Sequence, residues 1–430
     1  MSTSPATDAA VDPALAARLP ELRELYTALQ ARDLRLDLTR GKPSAEQLDL
    51  SEPLLALPGE GVHTAGGTDV RNYGGLDGLP ELREIFAELL GVPTAQLLAQ
   101  DNASLRLMWD TLVQALLFGV PGGEGPWSQQ GPITFVCPVP GYDRHFAICE
   151  ELGIRMVTVP MTPDGPDAEA VAALVAHDPS VKGLWVVPTY ANPDGAVVSE
   201  AVARRLASMP AAAPDFRILW DNAYAVHHLT EHATKTANAI ELAAQAGNPD
   251  RVVMFASTSK ITFAGAGVSF LASSPANIAW FKEHLSFRSI GPDKVNQLRH
   301  ALFFGDAAGV RAHMDAHRQI LAPKFSAVTR ILAERLGDAG VATWTDPQGG
   351  YFVSVDVVPG TAARVVQLAK EAGIALTPAG ATFPYGQDPA DRNIRLAPSM
   401  PPLAEVEAAM DGVATCILLA AAELAQSASR

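Results

Sequence analysis

The sequence predicts an α/β protein whose large domain is built on a mostly parallel β-sheet. Two observations support this prediction: short apolar runs alternate with helical patterns between residues 73 and 304, and polar side chains follow the ends of several runs. Such alternation is typical of parallel strands covered by helices on both faces. The predicted strands are 133–136, 156–159, 183–187, 218–220, 252–256 and 268–271.

The regions on either side of this alternation predict a second, smaller α/β unit. Leucines at 22, 25 and 29 indicate an amphipathic helix over 20–32, which an extended segment over 34–39 follows to complete an N-terminal arm. A long helical stretch over 309–336 leads from the large unit into the small one. The expected divisions are 1–60 for the arm and part of the small domain, 61–309 for the large domain, and 310–430 for the small C-terminal domain.

Composition argues against several classes of protein. The 430 residues carry 32 Lys and Arg against 47 Asp and Glu, so a broad basic surface for nucleic acid or acidic lipid is not expected. Residues 1–12 do not read as a secretory signal, and no apolar run reaches the length of about 18 residues that a membrane span needs. The three cysteines show neither a disulfide framework nor metal-ligand spacing. We expect a soluble cytoplasmic protein with no metal and no nucleic-acid or membrane partner.

The most informative motif is Ser257-Thr258-Ser259-Lys260, which directly follows the apolar run 252–256. It places a lysine amine just beyond a buried strand, with hydroxyl groups close by. A desolvated lysine sheds its proton more readily, so it can attack an aldehyde and carry a proton, and pyridoxal phosphate is the aldehyde cofactor that most often uses such a group. Taken alone, the tetrapeptide also fits a strand-end lysine whose ammonium lies in water.

Three further motifs supply the other groups that this cofactor needs. They are Asn192-Pro193-Asp194-Gly195, Asp221-Asn222-Ala223-Tyr224 and Asn393-Ile394-Arg395-Leu396. The cofactor needs a carboxylate to keep its ring nitrogen protonated, donors for its phenolate oxygen, and a cation for the substrate carboxylate. Ligands of open α/β sheets bind beyond the carboxyl ends of the strands, where the first two motifs and the lysine motif are expected.

In these motifs the chain resembles the fold-type I pyridoxal phosphate aminotransferases, and the likeness extends from Leu38-Thr39-Arg40-Gly41-Lys42-Pro43 to Arg395. More narrowly, it is similar to the bacterial aspartate aminotransferases of subgroup Ic. The segments that carry the narrower likeness are 38–43, 102–105, 140–146 and 291–297. The resemblance implies a mostly parallel, seven-stranded sheet in a large domain that binds pyridoxal 5′-phosphate, together with a smaller α/β domain.

The resemblance implies roles for the residues around the cofactor ring. Lys260 would form the Schiff base, and Asp221 would hold the proton of the ring nitrogen. Asn192 and Tyr224 would donate to the phenolate oxygen, while Tyr142 would stack on one face of the ring. The ordinary structural alternatives are a turn aspartate, an asparagine before a proline turn, and two tyrosines that only pack.

The phosphate group is expected at the start of a helix. Asn102-Ala103-Ser104 precedes apolar residues at helical spacing, so the free amides of Ala103 and Ser104 form an anion site. The alternative is an ordinary helix cap by Asn102 or Ser104. Ser257 would add a hydroxyl group to the same site.

Two segments imply a homodimer with composite active sites. Tyr73 resembles the family's tyrosine that reaches the phosphate of the neighbouring subunit, and 288–297 resembles a second stretch that crosses the interface. The family's arginine that follows the lysine has no counterpart in 263–268. We expect Lys294 to replace part of that charge across the interface, the alternative being a solvated loop lysine.

The substrate is expected at Arg395, because a planar guanidinium binds a carboxylate through two hydrogen bonds. The alternative is a surface ion pair with Asp391. Gly41 resembles the glycine whose backbone lies close to the substrate, and Asn192 also borders this position. The distal carboxylate of a dicarboxylic substrate needs a further cation, for which the candidates are Arg40, Arg106 and Arg144.

The resemblance implies an enzyme that acts on amino acids and 2-oxo acids. It predicts the conversion of L-aspartate and 2-oxoglutarate into oxaloacetate and L-glutamate by ping-pong kinetics, with Lys260 as anchor and proton carrier. The residues leave open an aminotransferase for aromatic amino acids, kynurenine or 2-aminoadipate, and a β-lyase with the same cofactor. An aminotransferase-like transcription regulator is less expected, because no helix-turn-helix module precedes residue 36.

Overall fold

A computed structural model describes residues 13–428 and shows the α/β architecture that the sequence predicts. Its strands are β1 (Leu36–Asp37), β2 (Leu97–Gln100), β3 (Thr134–Val139), β4 (Arg155–Thr162), β5 (Gly165–Pro166), β6 (Val181–Val186), β7 (Arg217–Asp221), β8 (Val252–Ser257), β9 (Ser269–Ala272), β10 (Ala342–Trp344), β11 (Val353–Val357), β12 (Ile374–Ala375) and β13 (Asn393–Leu396). Its helices are α1 (Pro13–Ala17), α2 (Leu19–Gln30), α3 (Ala45–Asp49), α4 (Pro80–Leu90), α5 (Ser104–Phe118), α6 (Asp143–Glu151), α7 (Ala168–Val175), α8 (Glu200–Ser208), α9 (Ala239–Gln245), α10 (Pro275–Arg288), α11 (Lys294–Phe304), α12 (Ala307–Leu336), α13 (Ala362–Glu371) and α14 (Leu403–Ala428).

The large sheet confirms the mostly parallel arrangement. Its strand order is β2-β9-β8-β7-β6-β3-β4-β5, and β8, β7, β6, β3 and β4 are parallel to their neighbours within that block. Strand β9 runs antiparallel to both β2 and β8. Strands β9, β8, β7, β6, β3 and β4 are the six that the sequence predicts, and the last in this order, β5, is a two-residue strand that pairs with the end of β4. The sequence pattern does not predict β2, because its apolar run is too short to stand out.

Both faces of the large sheet are covered, as the apolar strands require. Along β8, Val252 and Met254 belong to one buried cluster, whereas Val253 and Phe255 belong to another. Successive side chains of a strand point to opposite faces, so two separate cores lie on the two sides of the sheet. Helices α5 and α6 supply the second core, and helices α4, α8 and α9 supply the first.

The N-terminal arm packs with the C-terminal part of the chain. Strand β1 pairs in parallel with β12, while β10, β11 and β13 form a separate antiparallel sheet. Leu22 of α2, Leu332 of α12 and Ile417 of α14 belong to one buried cluster around these strands. Helix α12 connects the two units, since Val310 lies in the core of the large sheet and Phe325 in that of the small unit. The divisions at residues 60 and 309 stay a prediction.

Helix α14 is the one helix among the described residues that is both long and apolar enough to cross a membrane by length and hydropathy alone. In this fold, 78% of its most apolar window is buried inside the protein. It packs against α12, α2 and α1, and its inward residues belong to the core of the small unit. Burial within the protein therefore accounts for its composition.

Candidate active site

Lys260 lies beyond the carboxyl end of β8, where the sequence predicts it. Its Nζ atom lies 4.7 Å from the ring centre of Tyr224 and 5.8 Å from that of Tyr351. Aromatic faces attract an ammonium group most strongly where water is scarce. Tyr224 and Tyr351 are both buried and Lys260 is half-buried, so the amine lies against two aromatic rings.

Asp221 is the last residue of β7 and is buried together with His145 of α6. The Nε2 atom of His145 donates to Oδ2 of Asp221 at 3.0 Å, and the imidazole stacks on Trp185 with the ring centres 4.1 Å apart. The second oxygen, Oδ1, has no hydrogen-bond partner among residues 13–428. A buried carboxylate oxygen without a donor is costly, so this atom is available to accept from a bound group.

Arg395 on β13 is buried and not on the surface. Its Nη1 atom donates to Oδ1 of Asp143 at 2.7 Å and to Oδ1 of Asn192 at 3.2 Å, and its guanidinium lies 4.9 Å from the ring centre of Phe352. The alternative pairing with Asp391 does not occur, because Asp391 instead accepts from the start of α13. The cation is therefore oriented at the end of β13 for a carboxylate ligand.

Two tyrosines share this pocket with Lys260 and Asp221. Burial raises the pKa of Tyr142 to about 12, although the nearby Lys260 ammonium lowers it. Burial also raises the pKa of Tyr224 far above its ordinary value, and the carboxylate of Asp221 adds to the effect. Both phenols therefore stay protonated near neutral pH and can donate hydrogen bonds. Tyr142 also packs edge to face on His145, with the ring centres 4.9 Å apart.

The start of α5 is free to bind an anion. Ala103 is the N-cap residue, and no side chain caps the helix. The alternative of a cap by Asn102 or Ser104 is thus not realised. The Nδ2 atom of Asn102 donates to the carbonyl oxygen of Gly265 at 3.4 Å. Uncapped amides at a helix N-terminus attract negative charge.

The lysine motif lies next to this helix start. A Cβ atom on Gly267 would lie 3.2 Å from the carbonyl oxygen of Asn102 and 3.3 Å from the amide nitrogen of Ser259. The hydroxyl of Ser257 donates to Oγ of Ser259 at 3.1 Å. Glycine at 267 therefore lets the segment before α5 and the lysine motif approach each other.

No arginine follows the lysine in this part of the fold. Val268 is buried, and its amide donates to Oγ1 of Thr258 at 2.9 Å. Lys294 is not a solvated loop lysine, since it is 5% exposed and its Nζ atom donates to the carbonyl oxygen of Gly74 at 2.7 Å. Tyr73, next to Gly74, is 81% exposed. The phosphate role of Lys294 stays a prediction, and its ammonium is engaged within its own subunit.

The role of the candidates for the distal carboxylate stays a prediction. Arg40 and Arg144 are exposed, and neither side chain forms a hydrogen bond or ion pair with another residue in 13–428. Arg106 lies 3.6 Å from a carboxylate oxygen of Asp101. Gly41, by contrast, packs where expected: a Cβ there would lie 2.6 Å from Cζ of Phe352, the ring beneath Arg395.

Sequence reasoning missed four residues that contact this site. His145 and Asp143 lie within the segment 140–146, and a histidine and an aspartate shortly after a predicted strand are a signal that could have indicated a role at the site. Tyr351 and Phe352 follow two glycines near the start of β11 and gave no local signal. Their partners lie far away in the sequence, so only the fold shows the contacts.

These features fit pyridoxal 5′-phosphate. The unpartnered oxygen of Asp221 suits a protonated ring nitrogen, the uncapped start of α5 suits a phosphate, and the amine of Lys260 suits an aldehyde. The fold and the site together define a pyridoxal-phosphate-dependent aminotransferase. Residues 11–428 match the family described as aspartate amino-transferase, and the chain belongs to that family.

Individual relatives agree with this assignment. The chain is 57% identical over 404 residues to an aspartate aminotransferase of Corynebacterium glutamicum, a match that covers 94% of this chain and 93% of that protein. The crystal structure of an aspartate transaminase from the same species has a TM-score of 0.95 at 55% identity and covers 96% of this chain and 98% of that one. LysN, an α-aminoadipate aminotransferase of Thermus thermophilus crystallised with N-(5′-phosphopyridoxyl)-L-leucine, shares the fold with a TM-score of 0.73 at 21% identity, covering 95% of this chain and 97% of its own.

Proposed function

We propose that the protein transfers the amino group of L-aspartate to 2-oxoglutarate, giving oxaloacetate and L-glutamate. The observation that carries this proposal is the convergence of Lys260, the free oxygen of Asp221 and the buried cation Arg395 at one edge of the fold. The relative of 57% identity, named an aspartate aminotransferase, supports aspartate as the donor.

When bound, pyridoxal 5′-phosphate supplies an electron-withdrawing ring that stabilises negative charge on the substrate Cα atom. Asp221 would keep the ring nitrogen protonated through a charge-assisted hydrogen bond, with His145 fixing the carboxylate. Asn192 and Tyr224 would donate to the phenolate oxygen, and Tyr142 would cover one face of the ring. The amides of α5 and the hydroxyl of Ser257 would bind the phosphate.

Lys260 has two tasks in this proposal. Its amine holds the cofactor, and once released it removes the proton from the substrate Cα atom and returns it to another carbon. Removal of that proton requires a neutral amine that can reach the Cα atom. The rings of Tyr224 and Tyr351 lie close to Nζ and limit the directions in which the amine can point.

Arg395 would orient the substrate. Asp143 and Asn192 both accept from Nη1, which fixes the guanidinium before a ligand arrives. A carboxylate held by such a cation presents its α-hydrogen in one direction, and this positioning lowers the entropic cost of the proton transfer. The close packing of Gly41 on Phe352 supports the floor of the same pocket.

We further propose a cytoplasmic homodimer. Tyr73, Phe287 and Ile290 are large apolar side chains with high exposure, and they lie in or next to the two segments that the family uses across its interface. Burial of such a patch against a second copy would remove it from water. The three free, buried cysteines support a reducing compartment.

A screen of half-reactions tests the substrate. The purified holoenzyme is mixed with each amino acid in turn, and the loss of its yellow absorption band is timed. Aspartate and glutamate should react fastest. A far faster reaction with an aromatic amino acid, kynurenine or 2-aminoadipate would replace the aspartate assignment, and release of ammonia and pyruvate would indicate a β-lyase.

A further inference from the structure

We propose that Tyr351 is a positioning residue for Lys260 and that it contacts both the backbone carbonyl and the side-chain amine of that lysine. Its hydroxyl donates to the backbone carbonyl oxygen of Lys260 at 3.3 Å, and its ring centre lies 5.8 Å from Nζ. This inference extends the proposed function and rests on Lys260 as the proton carrier.

The carbonyl of Lys260 has a second donor, His227. Its Nε2 atom lies 3.3 Å from that oxygen, and a carbonyl can only accept, so this nitrogen carries the hydrogen. Burial holds the pKa of His227 well below its ordinary value, so the ring is neutral and its other nitrogen has no partner within residues 13–428. His227 and Tyr351 are therefore two buried donors to one carbonyl oxygen, and together they fix the backbone of Lys260, whose side chain carries the amine.

Gln47 of α3 fixes the hydroxyl of Tyr351 in turn. Its Oε1 atom accepts from the amide of Ser44 at 3.0 Å as part of a capping box, which directs the Nε2 atom away from that amide. Nε2 then donates to the hydroxyl of Tyr351 at 3.0 Å and to Nδ1 of His317 at 2.8 Å. Because the Tyr351 oxygen accepts from Gln47, its hydroxyl hydrogen is directed to the backbone carbonyl oxygen of Lys260.

The backbone around Tyr351 is itself held by the large domain. Gly350 donates to the carbonyl oxygen of His227 at 2.9 Å, and Leu229 donates to that of Gln348 at 2.9 Å. A Cβ atom on Gly349 would lie 2.2 Å from the ring of Tyr190, so the two segments are in tight contact. The aromatic ring therefore cannot shift without disturbing the joint between the two units.

A comparison of two matched variants tests the proposal. Tyr351→Phe removes only the hydroxyl, and Tyr26→Phe is its control, because Tyr26 is buried in the same core and its hydroxyl donates to the carbonyl oxygen of Leu368 at 2.9 Å, away from Lys260. Tyr351→Phe should lower kcat about tenfold with KM within about twofold, since an ill-positioned amine slows the chemical step and not substrate binding. Tyr26→Phe should leave both constants within about twofold of wild type.

Hydrogen exchange gives a readout that does not depend on catalysis. In Tyr351→Phe without substrate, the amides of 259–262 should exchange about three times faster or more, because the turn has lost one of its two anchors. The same amides should be unchanged in Tyr26→Phe. Equal kcat values for the two variants, or unchanged exchange at 259–262, would overturn the proposal.

Gln47→Met provides a second test if Tyr351→Phe is too unstable to purify. It keeps the tyrosine and removes the donor to its hydroxyl, so kcat should fall about threefold. Wild-type kcat in Gln47→Met would contradict the proposal that Gln47 positions Lys260 through Tyr351. Faster exchange at 259–262 with wild-type kcat would also reject the role of Tyr351, whereas borohydride labelling of a different lysine would reject the proposed function itself.

Discussion

His145 and Asp221 are joined by a buried hydrogen bond of 3.0 Å, and this bond leaves the second oxygen of Asp221 without a partner among the described residues. The histidine therefore sets the direction of the free lone pairs. A carboxylate held in this way is ready to accept from a protonated ring nitrogen and has no competing donor nearby.

The first prediction concerns that carboxylate. Asp221→Ala should slow the half-reaction with aspartate about 100-fold or more, because an unprotonated ring withdraws electrons poorly. The proposed phosphate site uses other residues, so cofactor content should fall much less than the rate. Stopped-flow absorbance gives the rate, and the phosphate and pyridoxal content of the purified variant gives the occupancy. A variant that retains its cofactor and reacts at the wild-type rate would remove Asp221 from the mechanism.

The second prediction concerns substrate orientation. Arg395→Lys should lower kcat/KM for aspartate about 100-fold, because an ammonium cannot donate two parallel hydrogen bonds to one carboxylate. Arg392→Lys is the control, since its guanidinium is partly exposed and lies 3.4 Å from Asp356; its kcat/KM should change about twofold at most. Steady-state kinetics at several aspartate concentrations distinguish the two variants. Similar losses in both would mean that Arg395 does not bind the substrate.

The third prediction concerns the end of the large sheet where its parallel strands begin, opposite to the candidate active site. Lys182 and Asp215 form a buried ion pair of 2.6 Å near the amino ends of β6 and β7, and Nε1 of Trp127 donates to the same carboxylate at 2.9 Å. Asp215→Ala should lower the free energy of unfolding by about 3–5 kcal/mol, because it leaves a buried charge unpaired.

The matched control for Asp215→Ala is Glu169→Ala, which removes an exposed ion pair of 2.6 Å with Arg205. Exposed pairs contribute about 1 kcal/mol or less. Urea unfolding followed by fluorescence measures both variants, and kcat at low temperature should be near wild type in each. Equal stability losses would show that the Asp215 cluster is no more important than a surface pair.

The fourth prediction is a pH dependence of stability that arises beside the lysine motif. Burial lowers the pKa of His300 to about 4, and its Nε2 atom lies 2.9 Å from Oγ1 of Thr262. Between pH 6.5 and 4 the unfolded chain binds a proton at this histidine and the folded chain does not. Stability should therefore fall as the pH decreases through this range, by about 3 kcal/mol from this group alone.

His300→Gln should flatten this dependence relative to wild type. Urea midpoints measured at several pH values between 4 and 7 provide the comparison, with His232→Gln as the control because that side chain is exposed. The slope of the control should match wild type. If His300→Gln and wild type lose stability in parallel, His300 does not contribute to the acid sensitivity.

Much of the fold and the ring site is predictable from local sequence, because parallel strands bring their carboxyl ends to one edge. Asn192, Asp221 and Lys260 each follow an apolar run, so their neighbourhood follows from the topology alone. The residues that contact this site from other elements cannot be predicted in the same way. Asp143 meets Arg395 across 252 positions of the chain, and no periodicity or turn signal encodes such a contact. The N-cap of α5 shows the same limit. Asn102 is a residue type that often caps helices, yet it does not cap α5, and its side-chain amide donates to the carbonyl oxygen of Gly265.

The last prediction is that two inactive variants restore activity when their subunits are mixed. Tyr73 is 81% exposed and lies beside Gly74, which Lys294 holds in place, so its ring is directed to no site among the described residues of its own chain. If it serves the partner's cofactor, Tyr73→Ala and Lys260→Ala each damage both sites of their own homodimers. A mixed dimer has one site with both wild-type residues and one with neither, so random reassortment should make roughly a quarter of all sites active. Activity is measured after mild denaturation and refolding of the mixture, and subunit exchange is followed by differently tagged chains. Exchange without recovery would mean that Tyr73 serves its own subunit or has no part in the cofactor site.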